Sequence, residues 1–209
     1  MKWKVGDTTI TKIQEIVYPE FSDVIPAATP DVVKKVKWLF PDFVTDEGHL
    51  SLSVHSLIVE TPGATLIVDT CIGNDRDRNP FEVMHMLSTS YMEDMIASGY
   101  HPDGVDYVLC THLHLDHVGW NTKMVDGKWV PTFPNASYLM SKQDLDFWGS
   151  IDANTEDDFM QLQRKVFDDS MQPVLDAGLA KPVESAAEVC EGVRLVPTPG
   201  HTPGHMVFL

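Results

Sequence analysis

The chain has 209 residues, 43% of them hydrophobic and 22% charged; this is the composition of a globular protein and excludes a disordered one. Thirty-one acids against 15 lysines and arginines leave a formal charge of −16. A basic surface is what nucleic acid needs, so no nucleic-acid partner is expected, and an acidic surface repels anionic membranes. No apolar run approaches the roughly 18 residues of a membrane span, and the first residues lack the apolar stretch of a secretory signal, so none is expected. Cys71, Cys110 and Cys190 are odd in number and widely spaced, without a Cys-x-x-Cys. Free thiols in a reducing, cytoplasmic setting are therefore expected. With no repeat or linker, residues 1–209 read as a single domain.

The elements follow in order. Residues 3–5 and 8–17 read as strands around a Gly6-Asp7 turn. Residues 31–40 read as a helix capped by Asp31, with Val32, Val33, Val36 and Leu39 at helical spacing and Pro41 as its stop. Strands are expected over 52–60 and 65–69, joined by Thr61-Pro62-Gly63-Ala64. Residues 70–80 read as loop, and 81–99 as a helix at least over 90–98, with Gly99 ending it. The apolar run 105–110 reads as a strand buried on both faces. Asp126-Gly127 predicts a hairpin over 124–130, followed by a strand over 137–140. Ser141 is expected to cap a helix over 142–148, with Asp144 favoured in its first turn by the helix dipole. A helix over 156–170 and strands over 189–196 and 206–209 complete the chain. Hairpins first and alternating strands and helices later predict a layered α/β protein with a mixed sheet or two sheets. An ending on the apolar Met206-Val207-Phe208-Leu209 suggests a chain that is incomplete at its C-terminus.

The chemistry concentrates in Thr111-His112-Leu113-His114-Leu115-Asp116-His117-Val118-Gly119. In an extended segment His112 and His114 point the same way and can grip one cation. A turn after His114 would let Asp116 and His117 close on a second cation. Leu113, Leu115 and Val118 can anchor the loop in the core, and Gly119 permits close backbone approach. Imidazole and carboxylate donors suit zinc, with manganese, iron or cobalt as alternatives; the absence of a thiolate favours an open catalytic site. A second signal is Pro199-Gly200-His201-Thr202-Pro203-Gly204-His205, a rigid turn that presents His201 as the third imidazole of the first site. His205 is expected behind the ligands or in the core. Trp120, Phe147 and Trp148, with the Met- and aromatic-rich stretch 81–91, are expected to wall an apolar substrate pocket.

These motifs resemble the metallo-β-lactamase-fold hydrolases. The resemblance is carried by strand 105–110 running into His112-x-His114-x-Asp116-His117, by Gly200-His201-Thr202-Pro203-Gly204-His205, and by Leu66-Ile67-Val68-Asp69-Thr70. The stretch from Asp46 to His55 and the residues His117-Val118-Gly119-Trp120-Asn121 are most similar to the branch with methyl parathion hydrolase and related lactonases. The resemblance implies an αββα sandwich and two divalent ions, most simply zinc. His112, His114 and His201 would hold one ion, Asp116 and His117 the other, and Asp69 would orient ligands by hydrogen bonds.

It also implies a metal-bound hydroxide that attacks an ester, lactone or phosphotriester, with Asp116 able to accept a proton. The small-molecule substrate would be neutral and apolar. Members of the family carry a bridging Asp and a last His beyond the position of His201, and neither occurs before Leu209. The last strands and helix of the sandwich are therefore expected to be missing, which leaves an edge open to homodimerisation. A glyoxalase II-like thioesterase, an iron-dependent persulfide dioxygenase and an inactive metal-binding fragment are the competing expectations.

Overall fold

The computed structural model describes residues 1–19 and 25–209. β1 (Lys2–Val5) turns at Gly6 into the long β2 (Thr8–Tyr18), which pairs antiparallel with β3 (Leu52–Glu60). β3 folds back as β4 (Thr65–Val68) through a turn closed by Thr61 N–H donating to the Ala64 carbonyl. β5 (Tyr107–Leu109) then adds parallel to β4. The hairpin β6 (Thr122–Val125) and β7 (Lys128–Pro131) stands apart, turned by Asp126 and Gly127, both at positive φ. β8 (Ser137–Ser141) and β9 (Ala180–Val183) extend the parallel run, giving the seven-stranded order β1-β2-β3-β4-β5-β8-β9. β10 (Ala187–Cys190), β11 (Val193–Pro197) and β12 (Met206–Phe208) form a second, antiparallel sheet.

Alternation along the central strands sets the layers. Ile67 and Val108 point to one face, where they join Tyr91 and Met95 of α2 (Tyr91–Ala97), Leu145 of α3 (Lys142–Gly149), Leu162 of α4 (Asp158–Val166) and Val174 of α5 (Gln172–Asp176). Leu66 and Leu109 point to the other face and meet Val193 and Phe208 of the second sheet. Among the described residues the layers are thus helix, sheet, sheet, in agreement with the expected layered α/β class. Cys71 and Cys110 are buried free thiols, and Cys190 is a half-buried one.

Four expectations are corrected. Over 31–40 there is one helical turn, α1 (Pro30–Val33), begun by Thr29 and Pro30 instead of Asp31, and then a 3-10 turn at Lys37–Leu39. Only Val33 of this segment is buried, while Trp38 is 74% exposed; without a covered apolar face a short helix gains too little to propagate. Over 81–99 only Tyr91–Ala97 is α-helix, ended by Gly99 at φ 93, and Glu82–Met84 is a single 3-10 turn. The strand expected over 189–196 is two strands, reversed at Gly192 with φ 81. The helix expected over 156–170 starts at the Asp157 cap and widens into a π-turn at Phe167–Met171.

Candidate metal centre

The parallel strands β4 and β5 deliver their C-terminal ends to one edge, the usual location of sites in such sheets. Directly after β4, Asp69 adopts φ 54, a left-handed conformation that Asp tolerates better than most residues. Its carboxylate ties the next strand's loop at both ends. Oδ1 accepts from Thr111 N–H at 2.7 Å, and Oδ2 accepts from Thr111 Oγ1 at 2.8 Å and from His117 Nδ1 at 2.7 Å. The expected turn after His114 is present, closed by His117 N–H donating to the His114 carbonyl at 3.0 Å. Leu113, Leu115 and Val118 are buried beneath it. Gly119 lies so close to the Ile72 carbonyl that a Cβ would overlap it, so the sharp exit from the loop requires glycine.

The β11–β12 connection lies over this loop, fastened by Met206 N–H to the Thr111 carbonyl at 2.8 Å. It brings His201 to the cluster. One nitrogen of each of His112, His114 and His201 lies within 4.8 Å of the others, and His114 Nδ1 is 3.0 Å from His201 Nε2. His112 Nε2 is buried and has no hydrogen-bond partner among the described residues. An orphaned imidazole nitrogen beside two others is what a cation site leaves when described without its ion. Burial and then the neighbouring His117 and His114 rings push the His112 pKa down to about 2; burial and His201 push that of His114 down to about 4. Both rings are therefore neutral at pH 7, with lone pairs to offer. The residues present fit a divalent cation.

His117 and Asp116 flank the same space. His117 Nε2 is 3.4 Å from Asp116 Oδ2, and its ring centroid is 4.0 Å from that of His112. Burial alone would lower the His117 pKa, but Asp69 and Asp116 outweigh it and raise it. Burial likewise raises the Asp116 carboxyl, and the hydrogen bond to His117 more than reverses this, so Asp116 is lowered. His205 sits behind the rest: its Nδ1 is 2.9 Å from Thr198 Oγ1 and its ring 5.3 Å from that of His112.

A cavity of about 760 Å³ opens over the cluster. His114, Asp116, His117 and His201 line it at the site, and Tyr18, Phe81, Val83, Met84 and Phe159 form apolar walls. The stretch 81–91 thus contributes as expected, but the three named aromatics stand elsewhere. Trp120 is buried and stacked on Tyr91, Trp148 is buried with its ring 5.3 Å from that of His114, and Phe147 packs on Trp148. None of the three is among the cavity's lining residues.

Several supporting residues carry no sequence signal. Glu15 on β2 accepts from Ile72 N–H at 2.7 Å, Gly73 N–H at 3.1 Å and Trp120 Nε1 at 2.6 Å, and burial raises its pKa despite these bonds. Arg76 and Arg78, in the charged stretch read as loop, are wholly buried on Asp169, each 2.7 Å away. Arg76 also donates to the Gly119 carbonyl and to the Thr122 carbonyl, directly behind the histidine loop.

Comparisons with known proteins identify relatives of this chain. An N-acyl homoserine lactonase of Bacillus cereus is 27% identical over 177 residues, which are 79% of this chain and 61% of that protein. A probable metallo-hydrolase of Mycobacterium tuberculosis is 27% identical over 174 residues, 75% of this chain and 52% of the relative. The chain thus spans about 60% or less of the length of these curated relatives. Among solved structures, AidC, a dizinc quorum-quenching lactonase bound to a product, superposes with a TM-score of 0.69 at 20% identity, covering 100% of this chain and 69% of that one. The hydrolase AbOPH gives 0.71 at 23% identity, covering 99% and 68%. A family profile described as the metallo-beta-lactamase superfamily matches residues 51–209. The chain belongs to the metallo-β-lactamase superfamily.

Proposed function

We propose that this chain forms the cation-binding part of a hydrolase for a neutral lactone or ester with an apolar substituent. The observation that carries the reading is the three-imidazole cluster, two of whose rings, His114 and His201, line an apolar-walled cavity. His112, His114 and His201 would hold one divalent cation; Asp116 and His117 would offer donors for a second, which would displace the proton that the raised pKa of His117 keeps on its ring, and zinc best matches these nitrogen and oxygen ligands. A bound cation supplies Lewis acidity that activates water and polarises the substrate oxygen. The chain's own contribution is orientation. Asp69 fixes the His117 ring through Nδ1, which directs Nε2 to the site. Asp116, the carboxylate 3.4 Å from His117 Nε2, would take up the proton released from water, and its lowered pKa makes it a relay that passes the proton on.

The walls support the substrate class. Among the described residues the cavity is lined by no lysine or arginine. Away from the cations, an anionic ligand such as a glutathione thioester would meet Glu82 and no basic side chain on those walls, whereas an alkyl chain would bury against Phe81, Val83, Met84 and Phe159. The relatives named as lactonases support the same class. Samples of the chain loaded with zinc, manganese or iron, assayed on acylated lactones, aryl esters, phosphotriesters and glutathione thioesters and for oxygen uptake, test this. Hydrolysis of lactones or esters is expected. Turnover confined to glutathione thioesters, or oxygen consumption with iron, would reject it.

A further inference from the structure

Asp144 is wholly buried, and among the described residues no lysine or arginine pairs with it. It lies in the first turn of α3, but its carboxylate faces away from that helix's own backbone. Oδ1 accepts from Gly204 N–H at 2.7 Å, and Oδ2 accepts from Thr202 Oγ1 at 2.8 Å and from Leu113 N–H at 3.3 Å. The donors come from two places. Leu113 stands between His112 and His114; Thr202 follows His201 and Gly204 precedes His205. One carboxylate therefore grips the two histidine-bearing segments, 58 residues away from itself on one side and 31 on the other. The approach is tight: a Cβ on Gly204 would overlap Ser141 Oγ, the cap of α3.

A buried carboxylate without a cation persists only when hydrogen bonds satisfy it, so its three donors are held firmly in place. We propose that Asp144 is a positioning residue that sets the distance of His201 from His112 and His114 before any cation arrives. The proposal rests on the cation-binding reading above. It makes α3, through Asp144, part of the metal centre.

Cobalt(II) titration of the unmodified chain and of Asp144→Asn, Thr202→Val and Thr202→Ser tests this, with affinity and the visible d–d bands as readouts. Thr202→Val removes one hydroxyl at nearly constant shape and leaves the other two donors, so it keeps the test alive if Asp144→Asn fails to fold. Affinity about 10-fold or more weaker is expected for Asp144→Asn and Thr202→Val, with altered d–d bands. Thr202→Ser, which keeps the hydroxyl, is expected to titrate like the unmodified chain. Folded variants that match the unmodified chain in affinity and spectrum would overturn the clamp alone. No cobalt uptake by the unmodified chain would overturn the cation-binding reading and the clamp with it.

Discussion

His117 Nδ1 and Asp69 Oδ2 are 2.7 Å apart, and this pair joins the end of β4 to the rim of the histidine cluster. Asp69 also holds Thr111 through both its N–H and its hydroxyl. Replacing Asp69 with Ala frees the His117 ring and loosens the start of the loop. Cation affinity at the Asp116–His117 position is expected to fall about 10–100-fold. A zinc competition titration against a chromophoric chelator measures it, and an unchanged curve would detach this pair from metal binding.

His112 and His205 make a contrasting pair. Each has Nδ1 against a threonine hydroxyl, Thr111 and Thr198, but His112 Nε2 is buried without a partner among the described residues, and His112 belongs to the three-imidazole cluster that leaves His205 out. His112→Ala is expected to remove most bound metal and His205→Ala little, as read by elemental analysis of folded, dialysed protein. Large loss from His205→Ala would reverse the assignment of the third imidazole.

Asp169 pairs with two guanidinium groups that are 1% and 0% exposed. Arg76 shows the strain of this burial: desolvation draws its pKa down to about 10 even with Asp169 beside it. Asp169→Ala leaves two uncompensated charges in the interior and is expected to cost about 3–5 kcal/mol. Urea unfolding reads this directly. Loss below about 1 kcal/mol would mean that water reaches the arginines.

Glu15 gives a pH signature. Its folded pKa is raised above the ordinary 4.5, chiefly by burial. The folded state then binds this proton more tightly than the unfolded state does. The stabilising share of Glu15 is thus full below the unfolded value and is lost as pH rises through the raised one. In Glu15→Gln that loss is absent. The stability difference between the two proteins is expected to shift in favour of Gln with rising pH over this window, as followed by denaturant unfolding at several pH values. A difference that does not vary with pH would show that folding leaves the proton affinity of Glu15 unchanged.

What could be read from residues alone was what local spacing encodes. His112, His114, Asp116 and His117 lie within six positions, and the buried Leu113, Leu115 and Val118 between them mark a loop anchored from below. Hairpins with Asp126-Gly127 or Pro62-Gly63 carry their own turn chemistry. Glu15, Asp144 and Asp169 were not legible because a carboxylate's partners, here 57, 58 and 93 positions away in chain, are set by topology. The helix expected over 31–40 shows the opposite error: Val32, Val36 and Leu39 have the right period, but helical spacing without a surface to cover does not make a helix.

The π-turn at Phe167–Met171 places Asp169 inside a wider helical loop, with Asp158–Val166 before it and Gln172–Asp176 after it. Such a turn holds one more residue than the α-helical count, so it resets the angular phase of everything downstream by roughly 100°. Removing one residue from it would let a regular helix run through, rotate α5 out of step with the sheet and swing the acid off both arginines together. The length of this segment is therefore under tighter constraint than its composition, and an insertion or deletion there should be far less tolerated than a substitution at its exposed positions.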